Sequence, residues 1–111
     1  MHFCLTGQYT PQALNGMMDN PSTNRSEVAK KVIEAAGGKM ICFFSVPADG
    51  PGVLVIFDVP EPDSAAAISG IVVATSTLHN VQLKRLLTQE EVVQVRQKAA
   101  KLRSAYKPPS K

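Results

Sequence analysis

From Val53 to Val59 six of seven residues are apolar, where a strand with one wet face would alternate apolar with polar. Both sides of that segment therefore need cover. The other segments carry different rhythms. His2 to Tyr9 reads as a strand with Phe3, Leu5 and Tyr9 on one side and His2, Cys4 and Thr6 on the other. Thr10 and Pro11 open a helix that Gly16 and Asn20-Pro21 keep short. A longer helix follows, capped by Ser22 or Ser26, with Val28, Ala29, Val32, Ile33 and Ala36 as its apolar stripe and Gly37 at its left-handed end. Lys39 to Val46 is a second strand, joined to the third by the turn "PADGPG".

Pro60 and Pro62 end the third strand and set up a helix from Asp63 to about Ala74, rich in small residues. Its Gly70 costs helix stability of order 1 kcal/mol, which close packing would explain. Leu78 to Leu87 is the fourth and most polar strand, suited to a sheet edge. Thr88 and Glu91 form a capping box for a last helix with Val92, Val95, Ala99, Leu102 and Tyr106 on one side. The order is strand, helix, strand, strand, helix, strand, helix: an α+β, ferredoxin-like βαββαβ pattern with an extra C-terminal helix. Right-handed crossovers give a four-stranded antiparallel sheet ordered fourth, first, third, second, with both connecting helices on one face. The other face then needs a lid, either the last helix or a second subunit.

At 111 residues the chain fits one domain, assigned to residues 1–105, with a Pro- and Lys-rich tail at 106–111. The N-terminus lacks the pattern of a secretory signal and no apolar run is long enough to cross a bilayer, so a cytoplasmic location and reduced Cys4 and Cys42 are expected. The two thiols lie on strands separated by the third, too far apart for a disulfide. Net charge is +3, and from Lys84 onward there are eight basic residues against two acidic ones. Most crowd the end of the last helix, where they suit its dipole, and nucleic-acid binding ranks low.

The stretches "MHFCLTGQYTPQAL", "EAAGGKM", "GVLVIFDVPEPDSAAA" and "NVQLKRLLTQEEV" resemble the GYD domain family over roughly residues 2 to 98. The resemblance implies the dimeric α/β-barrel fold, in which two sheets close face to face, and so a homodimer, alone or as the unit of a higher oligomer. The chain departs from the motif that names the family, reading Gly50-Pro51-Gly52 where Gly-Tyr-Asp would stand.

Candidate chemistry is sparse. His2 and His79 fall at opposite ends of the sheet and no Cys or His pair has ligand spacing, so no metal is expected. The glycines of "ADGPG" make no phosphate loop, and no cofactor is implied. Tyr9, Lys39, Asp58, His79 and Asn80 are expected to gather at one end of the sheet. There His79 is a candidate base, Tyr9 or Asn80 a candidate oxyanion holder, and Lys39 and Asp58 candidates for a pocket rim. At the other end the hairpin is expected to meet His2 and Arg85. Three readings of function follow in order: a barrel that binds a small apolar or amphipathic molecule, a cofactor-independent oxygenase, isomerase or decarboxylase on a small carbonyl or phenolic compound, and a regulatory or nucleic-acid-binding protein using the basic last helix.

Overall fold

A computed structural model describes residues 1–47 and 50–110. Its elements are β1 (His2–Tyr9), α1 (Pro11–Asp19), α2 (Arg25–Ala35), β2 (Lys39–Val46), β3 (Gly52–Asp58), α3 (Pro62–Ala74), β4 (Leu78–Leu86) and α4 (Gln89–Leu102), followed by one 3-10 turn, Arg103–Ala105. The four strands form one antiparallel sheet in the order β2-β3-β1-β4. The fold is α+β and ferredoxin-like, as the element order implies. The turn residues Ala48 and Asp49 lie outside the described residues.

Local chemistry accounts for the boundaries. The Thr10 hydroxyl accepts from the Ala13 amide and caps α1. Thr88 and Glu91 cap α4 reciprocally. At α2 the cap is Asn24, not Ser22 or Ser26: its side-chain oxygen accepts from the amides of Ser26 at 3.1 Å and Glu27 at 3.3 Å. An Asx side chain reaches both amides at once, while Ser26 already lies within the helix and donates its hydroxyl to Asn24. Gly37 takes φ +79° just beyond the end of α2. Gly38 and Gly52 sit where strands pass so closely that a Cβ would overlap the carbonyl oxygens of Asp58 and Gly7 respectively.

The core lies between the sheet and the two crossover helices. Phe3 and Leu5 of β1, Val53, Val55 and Phe57 of β3, and Leu78 pack with Ile33 of α2 and Ala65 and Ile68 of α3. Phe57 and Val59 are only 1% exposed, and Phe57 stacks on Phe3 with ring centroids 5.9 Å apart. Burying such a side chain contributes about 1.5 to 3 kcal/mol. The small residues of α3 do not form a close-packed stripe, contrary to the expectation for Gly70. Ala65 alone among its alanines is fully covered, and a Cβ at Gly70 would meet nothing within 4 Å.

The opposite sheet face carries Cys4 and Thr6 of β1, Leu54 and Ile56 of β3, and Cys42 and Phe44 of β2. Met40 pairs with Phe57 and Phe43 with Val55, so both point to the helices, while Phe44, 62% exposed, points away. The pairing slips between Met40 and Cys42, and this irregularity changes the parity of β2. A second slip, between Thr6 and Gln8, accompanies Asn80 at φ +51° in β4.

The last helix does not cover that face. It buries no residue, and Val95, Leu102 and Tyr106 are all more than half exposed. The chain is elongated, with a radius of gyration of 17.9 Å, against about 13 Å for a compact domain of similar length.

Candidate functional site

Between the sheet and the crossover helices the core is incompletely filled. A cavity of about 270 Å³ lies there, walled by Leu5, Val55 and Phe57 of the sheet, Val28 and Val32 of α2, and Ile68 and Val72 of α3. Among the described residues its polar lining consists of Tyr9, Arg25, Thr75 and Thr77, with no carboxylate, imidazole or thiol. Arg25 also borders two adjoining hollows, one against α1 and one beside residues 22–26 and Phe43.

Each polar group is placed by a chain corner. Tyr9 is the last residue of β1, on the side of Phe3 and Leu5. Arg25 is the first residue of α2, held in place by the Asn24 cap. Thr75 ends α3 and Thr77 precedes β4. The β1–α1 corner is tied to the α3–β4 corner: the Thr10 amide donates to the Thr77 carbonyl at 3.1 Å, and the Thr10 hydroxyl donates to the Ser76 carbonyl.

The hydrogen-bond roles at this end are determined. Thr75 donates its hydroxyl proton to the Ile71 carbonyl at 2.8 Å, and its oxygen lies 2.9 Å from that of Thr77. With the Thr75 proton already used, Thr77 is the donor in that pair. Burial raises the Tyr9 pKa above its ordinary value, and the neighbouring Arg25, by charge and by hydrogen bond, lowers it in part. The phenol therefore stays protonated at neutral pH.

The five residues expected to gather at one sheet end are divided by the structure. Lys39 pairs with Asp58, and Asp58 with His2, at one end. At the other, Gln8 pairs with His79 and Tyr9 with Leu78. The reason is polarity: β3 runs antiparallel to both β1 and β2, so its finish meets the start of each. Lys39 and Asp58 thus lie far from Tyr9. Asp58 instead binds the N-terminal ammonium at 2.7 Å, which lowers its pKa.

His79 is next to Leu78 in sequence but takes the opposite side of β4, is exposed and does not line the cavity. Asn80 donates to the Gln8 side chain at 2.7 Å. Of the five, only Tyr9 reaches the cavity. The hairpin also lies at the Tyr9 end, where the Tyr9 amide donates to the Pro51 carbonyl, and not beside His2 and Arg85. Arg85 pairs with Glu91 at 2.8 Å. His2 and His79 stand at opposite ends of β1, as the antiparallel pairing requires.

Arg25, Thr75 and Thr77 were not legible as site residues. The signal that could have found Arg25 is a cation at the first position of a helix, where its charge opposes the dipole and needs another reason.

The model of the GYD domain family matches residues 3–95. The chain belongs to the GYD domain family. No curated protein matches this GYD-domain chain in sequence. Among solved structures it is similar to 5-chloro-2-hydroxyhydroquinone dehydrochlorinase from Burkholderia phenoliruptrix AC1100, in complex with 2,5-dihydroxybenzoquinone. The TM-score is 0.54 and the identity 13%, over 81% of this chain and 97% of that one. At that identity the likeness supports the ferredoxin-like fold of this GYD domain. Among the described residues no helix is long and apolar enough to cross a membrane.

Proposed function

We propose that this GYD-domain protein binds a small apolar or amphipathic molecule in the cavity between its sheet and its crossover helices, and does so as a homodimer closed through the other sheet face. The cavity carries the reading: about 270 Å³ of space lined mostly by aliphatic side chains, with its few polar groups at one end. That is the usual character of a small-ligand site, just under the common size range of about 300 to 1,000 Å³. At about 30 Å³ per water it has room for roughly nine waters, or one compact organic ring. The structurally similar dehydrochlorinase, whose structure holds a single-ring quinone, is in keeping with a ligand of that size.

Binding ranks above catalysis because the described residues of the lining offer Tyr9 as a proton donor but no carboxylate, imidazole or thiol to act as a base. Toluene, titrated while the methyl resonances are followed by NMR, is expected to shift Val28, Val32, Val72 and Leu78 and to leave Phe44 and Val95 unmoved. Uniform or absent shifts at millimolar toluene would remove the cavity reading.

A further inference from the structure

We propose that the natural ligand is a compact organic acid, its carboxylate held at the cavity mouth by Arg25 and Tyr9 and its apolar body lying among Val28, Val32, Ile68 and Val72. This rests on the cavity being the binding site and adds the chemical class of what enters it.

The first observation is an uncommitted cation at the rim. The ion pairs among the described residues join Met1 to Asp58 and Arg85 to Glu91, and neither involves Arg25. Arg25 is half-buried and borders the cavity together with both adjoining hollows. A guanidinium offers a planar fork that matches a carboxylate with two parallel hydrogen bonds.

The second is the direction of the neighbouring protons. Arg25 can only donate, and the Tyr9 phenol, which lines the cavity with it, carries a hydroxyl proton of its own to offer. Burial keeps that proton on the phenol oxygen. Arg25 and Tyr9 therefore present donors together. The threonine protons of the lining are both spent, Thr75 on the Ile71 carbonyl and Thr77 on Thr75, so those oxygens can only accept. An anion therefore finds its donors in Arg25 and Tyr9 and none in the threonines. The amides at the start of α2 play no part, since Asn24 occupies those of Ser26 and Glu27. The aliphatic walls admit nothing polar beyond the head group, and Arg25 opposes an amine.

The test compares benzoate, its neutral isostere benzamide, and toluene, by calorimetry and amide NMR at neutral pH on the wild type and on Arg25→Gln, Arg25→Lys and Tyr9→Phe. Benzoate is expected to bind about tenfold or more tighter than benzamide, with shifts at Tyr9, Arg25 and Val72. Arg25→Gln removes that preference, Arg25→Lys restores part of it, and Tyr9→Phe weakens benzoate by a smaller factor. Toluene affinity, unchanged within about twofold across the variants, shows that the cavity survives each substitution. Toluene binding with no preference for benzoate over benzamide, or a preference that persists in Arg25→Gln, overturns the acid while sparing the cavity. Failure of all three probes to perturb the lining overturns both.

Discussion

Gly70 is a glycine in mid-helix with no close neighbour to require it. Gly70→Ala removes backbone freedom from the unfolded chain and is expected to stabilise by about 0.5 to 1 kcal/mol. A rise of a few degrees in Tm by calorimetry would bear this out; a fall would mean that α3 packs closely on something outside the single chain. Asp58 gives a pH signature. Its pKa is lowered chiefly by the hydrogen bond from the N-terminal ammonium. A carboxylate depressed on folding stabilises above its unfolded value, about 3.9, and the contribution is lost as pH falls through the folded value. Asp58→Asn is expected to lower stability at neutral pH by no more than about 1 kcal/mol, since the pair is exposed, with the gap to wild type closing below about pH 4. A gap that stays constant through denaturation curves down to acid pH would refute the pairing. Cys4 and Cys42 both pair with Ile56, on its two sides, and are free thiols. Thiol titration of denatured, unreduced protein is expected to find both.

At the scale of elements, much was legible because periodicity and capping are local. The span of β1, the start of α1 and the capping box of α4 follow from residues within a few positions of one another. Thr88→Ala is expected to cost α4 about 1 kcal/mol, seen as faster amide exchange at Val92 and Val93 with β1 and β3 unaffected. Exchange unchanged in α4 would mean that its start is held by other contacts. What was not legible depends on pairing. The slip between Met40 and Cys42 puts Phe43, and not Phe44, on the same face as Met40, and no pattern within β2 announces it. Likewise Lys39 and Asp58 are partners because β3 runs against both neighbours, and only strand direction separates them from Tyr9. The cavity depended on Arg25, Thr75 and Thr77, three polar residues at element ends, where polar residues are common for reasons unrelated to ligands.

For the whole molecule the surface is too large. The chain exposes 7953 Å², against about 5,900 Å² for a compact monomer of its mass. The excess of about 2,000 Å² is more than one partner contributes to a standard interface, about 800 Å². Phe44, Val46 and Ile41 on β2 are each at least 41% exposed, and the apolar residues of α4 are bare as well. A second copy laid on the face of Leu54, Ile56 and Phe44, with the α4 arms reaching across, would cover both. Light scattering at micromolar concentration is expected to give a dimer mass, and Ile56→Glu to give monomer or insoluble protein. A well-folded wild-type monomer would rule out this assembly.

The tight passage of strands at Gly38 and Gly52 bears on how the chain can diverge. With backbone carbonyl oxygens where a Cβ would go, no flexible neighbour can yield, and even alanine would have to push whole strands apart. Relatives that have taken up different ligands could exchange Arg25, Tyr9 and most of α4 while those two glycines stay in place. Their lineage can rewrite the cavity mouth, but the two narrow crossings, one near each end of β3, leave almost no room for drift.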